Sequence, residues 1–339
     1  VRADRDFAYG AAAGLLGDLL LGDPRRGHPV AAFGRAAAAV ERVLWRDHRG
    51  WGALHTVVCA GGAAGAGALA SFAVRRSRAA SVGLTAAATW AVVGGTSLGR
   101  EARAVAGALA AGDIDVARER LPHLCGRDPE ALDADGIARA VVESVAENTS
   151  DAVVGALVWG AVAGVPGLLG FRAVNTLDAM VGHKSPRHRR YGWASARLDD
   201  VLGWPGARLT GVLAVAAGGS PGAAARAWRD DAAHHPSPNA GVVEASFAGA
   251  LGVRLGGTLS YAGRVEHRPV LNGGGRPVAV TDIERAVRLS RRVCLLALGV
   301  AVAADLARGA RTAARGTRVA RRHPAPGTAT ALPGRGGRT

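Results

Sequence analysis

The stretch "GWGALHTVVCAGGAAGAGALASFAV" (residues 50–74) carries no Asp, Glu, Lys or Arg. After only "RRSR" (75–78) a second such run follows, "AASVGLTAAATWAVVGGTSLG" (79–99). A helix rises ~1.5 Å per residue, so about 20 residues cross a hydrocarbon core of ~30 Å. Both runs reach that length. Buried Ala-rich core helices are the soluble alternative, but two long charge-free runs separated by four residues weigh against it. The expected fold class is all-α: a multi-pass integral protein of the cell membrane with roughly four to six membrane segments. Residues 152–171 form a third candidate. Weaker ones are 7–22, interrupted by Asp18, then 209–225 and 293–304.

The 339 residues are 49% hydrophobic but only 4% aromatic, and the net charge is +15. Nucleic acid is excluded as a partner, because the basic residues are scattered rather than set on one stripe with interleaved aromatics. Attraction of loops to anionic lipid heads accounts for them equally well. Cys59, Cys125 and Cys294 have no paired spacing, which argues against a zinc site or a disulfide framework. The first apolar stretch is no cleavable signal, since Asp18 interrupts it and "LLLGDP" is not a small-residue cleavage site. Residues 1–304 are expected to form one membrane-embedded catalytic domain. The Arg-, Gly- and Pro-rich residues 305–339 are expected to be a disordered tail.

If 50–74, 79–99, 152–171 and 209–225 all cross, the bilayer separates the acids of 143–151 from the polar residues after 172. The run "GVPGLLG" (164–170) offers an escape, because Pro166 cannot donate to the helix ladder and Gly167 adds freedom. A re-entrant or broken helix there would bring both polar segments to one face. The resulting placement of Arg is the one the positive-inside rule calls cytoplasmic, although "RRSR" contradicts it locally.

In "VVESVAENTSDAVVGALVWGAVAG" (141–164), Glu143, Glu147 and Asp151 recur at i, i+4 and i+8. Helical periodicity puts them on one face, where they repel each other by some tenths of a kcal/mol per pair. A hard cation would relieve that, and Mg²⁺ favours a few carboxylates with phosphate and water. A solvated acidic helix start would also explain them. Asn148 flanks the same face. Further on, Asn175 and Asp178 are three apart, and Asp199 and Asp200 follow Arg197, with Arg208 beyond "GWPGA". Lys184 is the one lysine among 42 Lys and Arg residues. A compact ammonium kept against such a bias suits a phosphate contact. Asp23 and His28 stand around a Gly-Pro turn, and Asp230, His234, His235, Ser237, Asn239 and Glu244 mark residues 228–263. No phosphate-loop motif and no His-x-x-x-His pair occurs.

Four of these stretches, "LLGDPRRGHPVAAFGR", "VVESVAENTSDAVVGAL", "RAVNTLDAMVGHKSPRHRRYGWASARLDDVLGWPGARLTG" and "HPSPNAGVVEASFAGALGVRLGG", together resemble the CobD/CbiB family of cobalamin biosynthesis. The likeness runs in order from about residue 8 to about 300. It implies an adenosylcobinamide-phosphate synthase, a multi-pass membrane enzyme. Such an enzyme joins adenosylcobyric acid to (R)-1-amino-2-propanol or its O-phosphate as an amide, with ATP and Mg²⁺. Ala152 stands where the family pattern leads us to expect glycine, and His183 where it leads us to expect an aromatic residue.

Under that resemblance Glu143, Glu147, Asp151, Asp199 and Asp200 are the expected Mg²⁺ ligands. Glu147, Asp178 and Lys184 are the expected catalytic residues, with Asp178 as base and Lys184 on phosphate. Asp23, His28, Asn148, Asn175, Arg197, Arg208, Ser237 and Asn239 are the expected substrate contacts, the arginines toward phosphate. The bilayer and other late corrinoid enzymes are the candidate partners. An ion-coupled transporter is the main rival, but its distinctive residues would lie mid-membrane rather than in long polar segments. A prenyl-diphosphate transferase would need a second Asp-rich motif besides "RLDDV".

Overall fold

A computed structural model describes residues 6–24, 27–183, 185–261 and 264–322. The twelve helices among the described residues are α1 (Asp6–Leu21), α2 (Pro29–Leu44), α3 (Arg49–Val74), α4 (Arg78–Val92), α5 (Gly95–Ala110), α6 (Ile114–Arg120), α7 (Ala134–Asn148), α8 (Gly155–Leu177), α9 (Trp193–Ala217), α10 (Pro221–Asp231), α11 (Ala240–Leu251) and α12 (Val280–Arg322). One antiparallel hairpin, β1 (Leu255–Tyr261) and β2 (Arg264–Leu271), interrupts the helical order. It pairs Leu255 with Leu271 and shifts register before Gly257.

Three helical segments are long and apolar enough to cross a membrane: Arg49–Val74, Arg78–Ala110 and Ala134–Gly182. The weaker candidates 7–22, 209–225 and 293–304 do not meet that measure among the described residues. α3 leaves Leu54, Val57, Val58, Leu69 and Phe72 exposed, a row of large apolar side chains that suits lipid better than water. α12 continues beyond residue 304 as helix to Arg322, while 323–339 lie outside the described residues.

The third segment does not run straight through. At Gly164 the backbone takes φ 65° and ψ −145°, a conformation that side-chain-bearing residues rarely adopt. The chain reverses there, and the two arms of α8 pack on each other. Gly155 meets the ring of Phe171, Gly160 meets Leu168, and Gly167 meets the carbonyl of Trp159. The break falls two residues before Pro166. Proline then opens the second arm, where a missing N–H costs little. The two arms form a helical hairpin whose two ends lie side by side.

π-helical turns flank this hairpin, Thr149–Val154 before it and Asp178–Gly182 after it. Such turns are rare and recur at functional sites. α9 crosses the hairpin base with Gly206 against the backbone of Gly155, a distance that any larger side chain would prevent. Thr149 Oγ1 donates to Ser290 Oγ at 2.6 Å and ties the first π turn to α12. Inside this frame lies an apolar core that includes Ile137, Val141, Leu157, Leu168, Phe247 and Ile283, all fully buried.

Candidate active site

A cavity of about 500 Å³ opens at the base of the hairpin. α7 supplies Glu147 and Asn148, and the two π turns supply Asp151 and Asp178. Asn175 comes from the end of α8, Asp199 and Asp200 from α9, and Ser237 and Asn239 from the turn before α11. Nine residues singled out from the sequence thus line one wall-to-wall space. The sequence places them up to about 90 positions apart, and the reversal at Gly164 brings them together.

Hydrogen bonds fix several of these groups. Arg172 Nη1 donates to Asn175 Oδ1 at 3.2 Å, which turns the other end of that amide outward. Asn175 Nδ2 accordingly donates to Asp199 Oδ1 at 3.4 Å. Asn239 Nδ2 donates to the carbonyl of Asp200 at 2.8 Å, and Arg208 Nη1 donates to Asn239 Oδ1 at 2.7 Å. Asn148 Nδ2 donates to the Ser144 carbonyl at 2.9 Å. Burial and the neighbouring Asp178 push the Asp199 carboxyl up to about 7, against the pull of the Asn175 hydrogen bond. Crowded carboxyls of this kind are a poor surface for water and a good one for a cation.

The remaining expected residues lie elsewhere. Glu143 is buried behind the cavity, paired with Arg127 and accepting the Gly256 N–H at 2.7 Å. Glu147 and Asp151 therefore line the cavity without Glu143. Asp23 and His28 pair with each other at 3.5 Å, where His28 Nδ1 accepts the Val30 N–H and caps α2; neither lines the cavity. Arg197 is largely exposed and lies 3.5 Å from Asp200. Arg208 stacks over Trp204 at 4.7 Å and reaches the cavity only through Asn239. Lys184 lies outside the described residues.

Arg127, Arg268, His235 and Glu244 belong to the site without having been assigned to it from the sequence. Arg127, His235 and Arg268 line the cavity. Glu244 is buried, hydrogen-bonded to Glu147, with Oε1 3.6 Å from His235 Nε2. Burial and the charges of Glu147 and Glu143 hold the Glu244 carboxyl well above the usual range. His235 Nδ1 lies 3.1 Å from the Ser237 nitrogen and 3.2 Å from the Ser237 carbonyl oxygen, and Nε2 lies between Arg268 Nη1 at 3.5 Å and Glu244 at 3.6 Å. A lone acid inside the apolar run "AGVVEASFAGAL" was the available signal for Glu244. For Arg127 no signal exists, since nothing in "LCGRDPE" marks its partner sixteen residues on.

Among the described residues no three His, Cys, Asp or Glu side chains form a ready metal cage. The donors nevertheless fit a hard divalent cation. Mg²⁺ takes one or two carboxylates and fills its shell with phosphate oxygen and water. The Asp199 carboxyl, raised first by burial and then by its acidic neighbour Asp178, is the group such a charge would relieve.

A family model described as CobD/Cbib protein matches residues 11–290. The chain belongs to the CobD/CbiB family. Among CobD/CbiB relatives, the cobalamin biosynthesis protein CobD of Mycobacterium tuberculosis is 54% identical over 292 residues, covering 84% of this chain and 92% of its own. The namesake from Chromobacterium violaceum is 43% identical over 301 residues, 87% and 96% of the two chains. That from Geobacter metallireducens is 41% identical over 296 residues, 84% and 93%. No solved structure matches the chain. As a CobD/CbiB protein it functions in cobalamin biosynthesis.

Proposed function

We propose that this protein is a multi-pass enzyme of the cell membrane that condenses adenosylcobyric acid with (R)-1-amino-2-propanol or its O-phosphate, consuming ATP. The convergence of nine acid, amide and hydroxyl side chains on one cavity is the observation that carries the reading. A corrinoid is far larger than about 500 Å³. Its macrocycle stays at the mouth, and only the reacting propionate arm enters.

A carboxylate and an ammonium do not condense unaided. One carboxylate oxygen attacks the γ-phosphorus of ATP, ADP leaves, and an acyl phosphate forms on the propionate. The amine then attacks the acyl carbon and inorganic phosphate departs. Asp178 takes the proton that frees the amine, with Glu147 as the second acceptor, backed by Glu244. Asp151, Asp199 and Asp200 are the residues that would hold Mg²⁺, with Glu147 at their side. When bound, the ion offsets phosphate charge. Asn148, Asn175, Ser237 and Asn239 orient the substrate, and Lys184 with Arg268 meets phosphate. Arg208 acts by holding Asn239, and Arg197 at the rim by neutralising Asp200. The other late corrinoid enzymes are natural neighbours at the same bilayer.

The test uses adenosylcobyric acid labelled with ¹⁸O in the reacting carboxylate. Purified membranes should place one ¹⁸O in the released phosphate for each amide formed. Amide formation without ATP consumption would contradict the route, and failure to form amide at all would contradict the function.

A further inference from the structure

Three arginine–tryptophan pairs ring the first turn of α3. Arg187 stands over Trp45 at 4.6 Å, Arg46 over Trp51 at 5.8 Å and Arg49 over Trp193 at 5.6 Å. The pairs interlock two stretches distant in the chain, residues 41–52 and 185–193. Gly52 packs against the carbonyl of Tyr191, a residue that is itself fully buried.

The second stretch leads straight from the catalytic cavity. Asp178 and His183 line that cavity, and Gly192 packs under the carbonyl of Val181 in the π turn between them. Rim and cavity wall are thus one packed unit. From the rim α3 runs to the tip of the hairpin, where Gly67 meets Pro166. The tryptophans therefore stand at one mouth of a membrane-crossing helix, where Trp is favoured because its ring suits the boundary between hydrocarbon and headgroups.

Charge at this rim is strongly unbalanced. The two stretches hold six arginines and two acids. Glu41 is taken by Arg187 at 3.1 Å and His188 at 3.0 Å, and Asp47 lies 3.6 Å from Arg190. Arg46, Arg49 and Arg189 are exposed and have no acid partner among the described residues. A guanidinium lying on an indole face keeps its N–H edge free for a phosphate oxygen. The opposite end of α3 is built differently: Arg75 lies over Phe72 at 4.1 Å, and Arg78 is paired with Asp6.

Crossing a bilayer demands no particular headgroup, whereas unpaired guanidinia at headgroup height favour an anionic one. We propose that this rim is a docking surface for anionic phospholipid headgroups, held by Arg46, Arg49 and Arg189, and that the docked lipid steadies residues 185–193 behind the cavity wall. An acidic soluble protein fits less well, because Trp51 and Trp193, 42% and 45% exposed, would then face water. The inference is independent of which bond the cavity makes.

The test places the full chain in nanodiscs of phosphatidylcholine, or of phosphatidylcholine and phosphatidylglycerol in equal parts. Backbone hydrogen exchange within 185–193 should slow by about fivefold or more when phosphatidylglycerol is present. Native mass spectrometry should find phosphatidylglycerol retained over phosphatidylcholine by about tenfold. The combined variant Arg46→Gln, Arg49→Gln, Arg189→Gln should lose both effects. All three positions are exposed, so this variant keeps the fold. The control Arg75→Gln, Arg76→Gln should keep both. Equal exchange in the two lipids, or a triple variant that behaves as the parent, overturns the proposal. So does a control that loses as much as the triple variant, since bulk surface charge then explains the preference. Polyglutamate that protects 185–193 in phosphatidylcholine discs as well as phosphatidylglycerol does would assign the rim to an acidic protein, and would overturn it too.

Discussion

Asn175 donates to Asp199 across 3.4 Å, linking the far end of the α8 hairpin to α9. The carboxyl it holds sits at about 7, raised first by burial and then by Asp178. An unfolded aspartate loses its proton near 4. Between about pH 4 and 7 the native state therefore binds the proton that the unfolded state has lost. Stability from this group falls as pH rises through that window.

Asp199→Asn should remove that slope, leaving the protein about 1–3 kcal/mol more stable than the parent at pH 8 in metal-free buffer. Thermal unfolding at pH 5, 6.5 and 8 checks it. A pH profile unchanged by the substitution would show that Asp199 is already ionised.

The hairpin depends on one residue. Gly164→Ala should cost about 1–3 kcal/mol, because φ 65° with ψ −145° is strained for any side chain. Gly61→Ala, in open space on α3, is the control and should be neutral or stabilising by up to about 1 kcal/mol. Equal midpoints for the two variants would remove the reversal at 164.

Arg127 and Glu143 form a buried pair. Arg127→Leu leaves Glu143 buried and unpaired, and should destabilise by about 3–5 kcal/mol. Adding Glu143→Gln to it should restore part of that loss, since the stranded charge is gone. Denaturation of both variants and of Glu143→Gln alone completes the cycle.

The two arginines flanking Asp199 and Asp200 should behave differently. Arg208→Ala loosens Asn239 and should lower amide formation by about ten- to a hundredfold. Arg197→Ala, at an exposed rim position, should stay within about threefold of the parent. Initial rates in membranes under saturating substrate separate them.

Much of this was legible in the sequence, and the limits have physical causes. Uncharged length marked α3 and the 79–99 run, and "GVPGLLG" marked a break, because hydrocarbon and the helix ladder impose simple rules. Which residue breaks was harder. Pro166 looked the stronger disruptor, yet Gly164 takes the strained angle and proline settles at a helix start. The clustering of Asp151, Asp178 and Asp199 followed from that break. Glu143 does not join them, because Arg127 and the Gly256 N–H hold its carboxylate behind the cavity. Arg127 was invisible, since a partner sixteen residues away leaves no local pattern.

Amide formation by purified membranes, followed by product mass with Mg²⁺ varied, tests the central claim most directly. The parent should convert adenosylcobyric acid to its aminopropanol amide. Asp199→Asn and Glu147→Gln should each lose at least about a hundredfold in rate, while Arg197→Ala keeps it. Near-parental rates in both Asp199→Asn and Glu147→Gln would contradict the assignment of this cavity as the place where the bond is made.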